Sequence, residues 1–226
     1  MSTRSLTGQT LSGRAPLPRS RPLWDTAQSA AVATPGVHFY IGAMSPYTWI
    51  TAERIDELLP QAQWHGVLLQ AIFRARERTS WGLTDDRERG IAESEQRAAT
   101  HGLGPIRWPE PWPTSDLLVA RAMTHAEQLG RLREFALAAM RLEFLEGAVL
   151  SQPQAVRVAA ERSGLDADAL EKAVGEQPVK DALRARTDEA LAAGVFGVPS
   201  VTVAGQLFWG DDRLLDAAAA AREQRE

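Results

Sequence analysis

Two short apolar runs, one towards each end of the chain, flank a long middle whose apolar residues recur at helical spacing. Val37-His38-Phe39-Tyr40-Ile41 reads as a buried strand, short, β-branched and aromatic, and ended by Gly42. Ser45 followed by Pro46 is a helix start, and Ile50, Ile55, Leu58 and Leu59 carry that helix to Pro60. Gln63 to Leu69 reads as a second strand with Val67, Leu68 and Leu69 as its buried part, which completes a β-α-β unit.

From Asp85 to about Arg186 the pattern is almost wholly helical, interrupted by Pro109, Pro111 and Pro113 and by Gly130, Gly147 and Gly164. Leu117, Leu118, Met123, Ala126 and Leu129 mark one amphipathic segment; Leu132, Phe135, Ala139, Met140 and Phe144 mark the next. A short capped helix is expected over Leu165 to Leu170, and a longer one from Pro178 to about Ala193. The register then changes. Ser200 to Val203, a turn at Ala204-Gly205, and Gln206 to Trp209 predict a hairpin. Asp211-Asp212 open a last helix over Leu214, Leu215, Ala217 and Ala218. The expected architecture is α/β: β-α-β, a large all-helical insertion, then α-β-β-α. Residues 36–82 and 178–226 form one domain in this reading, with 83–177 inserted.

Composition narrows the functions. At 226 residues the chain has room for a sizeable core, and its net charge of −4 gives no reason to expect nucleic-acid or membrane-surface binding. No apolar run approaches the roughly 20 residues that cross a bilayer. The first 35 or so residues scatter Arg4, Arg14, Arg19 and Arg21 among Pro, Gly and Ser without an apolar stretch. They are expected to form a disordered tail (1–35) rather than an export signal, and a cytoplasmic protein follows. No histidine–carboxylate cluster has metal-ligand spacing.

Two loops carry the candidate chemistry. Ser45-Pro46-Tyr47-Thr48 has the layout of a Cys-Pro-x-Cys redox site with hydroxyls in place of both thiols. The chain contains no cysteine, so direct thiol–disulfide exchange is excluded and any sulfur must come with a small molecule. Ser45 caps its helix on the plain reading; the same position suits stabilisation of an external thiolate by free N–H groups. In Gly194-Val195-Phe196-Gly197-Val198-Pro199, Pro199 is a candidate for a cis peptide bond, leaving the Val198 main chain open to an extended peptide-like thiol. Asp211 and Asp212 read either as helix caps or as acceptors for a ligand ammonium. Arg74, Arg76 and Arg78 offer an anion site or simply a solvated loop. Tyr47, Trp81, Trp108 and Trp112 could wall a pocket for a flat aromatic substrate, against the plainer reading of a Pro-rich loop packed on a helix.

The run from Phe39 to Tyr47, together with Gly194 to Ser200 and Phe208 to Leu214, resembles the paired signatures of 2-hydroxychromene-2-carboxylate isomerases and kappa-class glutathione transferases. The resemblance covers about residue 36 to the end. It implies a DsbA-like, thioredoxin-like fold with a helical insertion, a homodimer, and glutathione or another low-molecular-weight thiol as cofactor. It further implies that Ser45 hydrogen-bonds the sulfur, that Val198 pairs with the cysteinyl backbone beside Pro199, and that Asp212 holds the γ-glutamyl ammonium. The activity implied is isomerisation of an aromatic-catabolism enone through reversible thiolate addition, with a kappa-like transferase or a non-catalytic thiol-binding protein as alternatives. Two departures stand out: Asp211 replaces a hydrogen-bond donor, and the usual Asn-Arg-Pro-Pro-like loop after the second strand is missing.

Overall fold

The structure, a computed structural model, describes residues 36–224; the expected tail over 1–35 lies outside them. Four strands form one mixed sheet in the order β2-β1-β3-β4: β1 Val37–Ile41, β2 Gln63–Gly66, β3 Ser200–Val203 and β4 Gln206–Trp209. β1 runs parallel to β2, with Phe39 opposite Trp64, and antiparallel to β3, with Phe39 opposite Val201. The hairpin β3–β4 turns at Ala204-Gly205, as its sequence predicts.

All five β1 residues are buried because both faces of the sheet are covered. Alternation splits them. Val37, Phe39 and Ile41 join the main core with Trp49, Ile50, Val201 and Leu214. Tyr40 turns to the other side, where Val67, Ile72, Ala190, Val195 and Val198 form a smaller cluster.

The helices are α1 Pro46–Ala52, α2 Ile55–Leu58, α3 Leu69–Ala75, α4 Arg87–Thr100, α5 Leu117–Gln128, α6 Leu132–Glu146, α7 Pro153–Arg162, α8 Ala167–Ala173, α9 Gln177–Ala192 and α10 Leu214–Glu223. Helical spacing places α5, α6, α8 and α9 within a few residues of expectation. Asp166 caps α8 by accepting from the N–H groups of Asp168 and Ala169.

Two expectations are corrected. The helix from Ser45 to Pro60 is two helices, broken at Glu53-Arg54. Thr51 Oγ1 donates back to the Tyr47 carbonyl at 2.9 Å, an interaction that bends helices, and Glu53 is drawn aside by Trp49 Nε1 and Arg141. The second strand stops at Gly66 instead of continuing to Leu69, and Leu69 opens α3. The cause is distant in sequence: the Asp116 carboxylate accepts from the N–H of Leu69 at 2.8 Å and of Gln70 at 3.4 Å. It caps a helix whose own N-cap, Leu68, has no oxygen to offer.

Candidate functional site

A cleft of about 240 Å³ opens where the start of α1 meets the loop entering β3. Met44, Ser45, Pro46 and Tyr47 line one side, and Gly197, Val198 and Trp209 another. Leu69 and Phe73 of α3, the loop from Arg78 to Trp81, Thr84, Asp86 and Trp112 complete it.

Ser45 has extended backbone angles and its Oγ accepts from the Thr48 N–H at 3.2 Å, so it does cap α1, with Pro46 in the first turn. Accepting that bond leaves the hydroxyl proton available for a second partner in the cleft. Thr48, the other hydroxyl of the motif, is fully buried and its Oγ1 finds no partner among the described residues. Only Ser45 of the two lines the cleft.

The Val198–Pro199 peptide is cis. Neither the Val198 N–H nor its carbonyl has a hydrogen-bond partner among the described residues, while the Pro199 carbonyl accepts from the Gly210 N–H at 3.0 Å. Gly42 allows the close approach of the two loops: a Cβ there would sit 3.1 Å from Val198 Cγ2. Gly197 likewise makes room for Trp209, whose Nε1 would lie 2.6 Å from an added Cβ.

The aromatic residues form a continuous group. Trp81 packs against Tyr47 at 6.3 Å between ring centroids, against Trp112 at 5.0 Å and against Trp108 at 6.2 Å. Trp108 does not line the cleft; it backs Trp112 at 4.7 Å and donates its Nε1 proton to Glu95. Beneath them Glu143 of α6 is buried, and burial raises its pKa well above the ordinary carboxylate range.

The two aspartates stand elsewhere. Asp211 is buried and bound by Arg97 of α4 at 2.7 Å; burial raises its pKa and Arg97 opposes the rise. Asp212 is largely exposed, 3.8 Å from the same guanidinium. Neither lines the cleft. Arg97 also binds Glu93 and lies over the Tyr47 ring at 5.4 Å, so it joins α4, α1 and the start of α10. The structure thus brings together Ser45, Tyr47, Trp81, Trp112 and Val198, and sets Asp211 and Asp212 apart. Sequence reasoning passed over Trp209 and Phe73. For Trp209 a signal existed, a large aromatic beside Gly210 at the exposed end of a hairpin.

These features and the sequence agree with one family. A profile of the DSBA-like thioredoxin domain matches residues 36–221, and the chain belongs to that family. It is 34% identical over 128 residues to a 2-hydroxychromene-2-carboxylate isomerase of Sphingobium xenophagum, an alignment that spans 55% of this chain and 62% of the relative. A protein of the same name from Pseudomonas putida is 22% identical over 188 residues, 79% of this chain and 90% of that one. The solved structure of a 2-hydroxychromene-2-carboxylate isomerase superposes with a TM-score of 0.70 at 18% identity, over 84% of this chain and 95% of that one, which establishes the fold. Among the described residues no helix is long and apolar enough to cross a membrane.

Proposed function

We propose that this protein is a thiol-dependent isomerase of an aromatic enone carboxylate such as 2-hydroxychromene-2-carboxylate. The observation that carries the reading is that the Ser45 hydroxyl and the unpartnered Val198 main chain line one cleft whose remaining wall is aromatic. The reading is supported by the relatives that bear the isomerase name.

The residues present fit the sulfur end of a small thiol. Ser45 offers its hydroxyl proton to a sulfur beside the Tyr47 N–H, the amide of the first turn of α1 that has no partner among the described residues, and both favour the ionised form. Val198 offers one donor and one acceptor to a cysteinyl backbone. A thiol bound there, glutathione or a smaller one, supplies a thiolate able to add reversibly to a conjugated double bond and so permit rotation about it. Tyr47, Trp81 and Trp112 hold the flat substrate and exclude water from one side, and orientation of this kind lowers barriers by several kcal/mol. The expected ammonium acceptors do not contribute here: Arg97 binds Asp211 and reaches Asp212, and neither aspartate lines the cleft. The cleft is also somewhat smaller than the roughly 300–1,000 Å³ usual for ligand sites.

Calorimetry with glutathione and with smaller cellular thiols, followed by turnover of 2-hydroxychromene-2-carboxylate, tests the proposal. Silence from every thiol favours a non-catalytic binding protein. Ser45→Ala is expected to lower kcat about ten- to a hundredfold at neutral pH, the worth of a hydrogen bond to a charged group, with a smaller loss of thiol affinity. Equal losses in both would reduce Ser45 to a positioning role.

A further inference from the structure

The geometry points to Arg78 as the receptor for a carboxylate group of the ligand that enters this cleft. The inference rests on the proposed function only for the identity of that ligand.

Two charged side chains line the cleft, Arg78 and Asp86. Asp86 is held by Arg89 at 2.8 Å. Arg78 has no carboxylate within ion-pair distance among the described residues, which separates it from Arg97, Arg141, Arg157, Arg162 and Arg186. Its guanidinium is instead held by rings: Trp209 at 5.0 Å, Phe196 at 5.4 Å and Phe73 at 5.9 Å from centroid to Cζ. One N–H donates to the Phe196 carbonyl at 3.1 Å, and four remain of the five a guanidinium carries. Arg78 is exposed to solvent, yet its pKa is lowered by desolvation with no acid to offset it.

The backbone is bent to deliver this side chain. α3 ends in a turn where the Arg78 N–H reaches back to the Phe73 carbonyl at 2.9 Å, and Glu77 adopts φ +51° to make it. A non-glycine residue in the left-handed region costs about 1 kcal/mol. A planar cation resting on aromatic faces, with free forked donors and no acid of its own, suits a planar carboxylate. The rings beside it suit an aromatic one. The same carboxylate chemistry could come with the thiol, and the test separates the two sources.

Isothermal calorimetry on the full chain compares trans-cinnamate with uncharged cinnamamide, and glutathione as a third probe, in the parent, Arg78→Gln and Arg78→Lys. The parent is expected to bind a carboxylate probe about tenfold more tightly than Arg78→Gln does, discounted for solvent exposure. Cinnamamide affinity should be unmoved, and Arg78→Lys should recover part of the loss. A loss confined to cinnamate assigns the bound carboxylate to the substrate; one confined to glutathione assigns it to the thiol. No loss in either arm, or an equal loss with cinnamamide, overturns the site. Turnover of 2-hydroxychromene-2-carboxylate is measured apart: its absence beside Arg78-dependent binding refutes the isomerase reading and leaves this site standing.

Discussion

Asp116 offers a quantitative check on how the cleft floor is built. Its carboxylate caps α3, which contributes Leu69 and Phe73 to the cleft, yet it is buried and only one oxygen is satisfied. Burial pushes its pKa from an ordinary 3.8 up to about 6, against the opposing pull of the Leu69 and Gln70 N–H groups. The fold therefore prefers the protonated acid. The unfolded chain releases that proton near 3.8 while the native state holds it to about 6, so stability is full below the lower value and falls as pH rises between the two. At 1.36 kcal/mol per pH unit the loss amounts to about 3 kcal/mol above pH 6. Asp116→Asn keeps an oxygen for the Leu69 N–H and removes the charge. Its amide nitrogen falls where the other carboxylate oxygen already lacks a partner, so the uncharged forms are expected to differ by less than about 1 kcal/mol. Urea denaturation of parent and variant from pH 4 to 8 reads the difference. The variant should match the parent near pH 4 and gain over it by about 3 kcal/mol at pH 7. A constant offset across this range, or a variant less stable at pH 7 than the parent, would refute the reasoning.

Glu143 extends the same logic beneath the tryptophans. Its pKa is raised by burial, so its contribution to stability is lost as pH climbs above the ordinary carboxylate range, and Glu143→Gln should raise the melting temperature at pH 7 but not near pH 4. Gly90 of α4 lies under Trp81, and an added Cβ would come within 2.3 Å of that ring. Gly90→Ala should therefore destabilise by about 1–3 kcal/mol and shift the tryptophan fluorescence, since Trp81 must leave the cleft wall; an unchanged spectrum with full stability would contradict the packing described.

Much of the frame was legible in the residues because it is locally determined. Val37–Ile41, the β3–β4 hairpin, the Ser45-Pro46 helix start and the amphipathic helices α5, α6 and α9 each follow from neighbours a few positions apart, through side-chain period, turn chemistry and capping. The paired loops around Ser45 and Val198 were legible too, as was the absence of any thiol. What tertiary structure alone decided involves partners far along the chain. Asp116 ends β2 early and starts α3 from 47 residues away. Arg97 takes Asp211 across 114 residues, which moves a site expected from sequence out of the cleft. Trp209 and Phe196 turn Arg78 from a loop charge into a cleft cation. Periodicity records which face of an element is buried, but not which ionised group meets which; burial and long-range pairing set that, and they exist only once the chain has closed on itself.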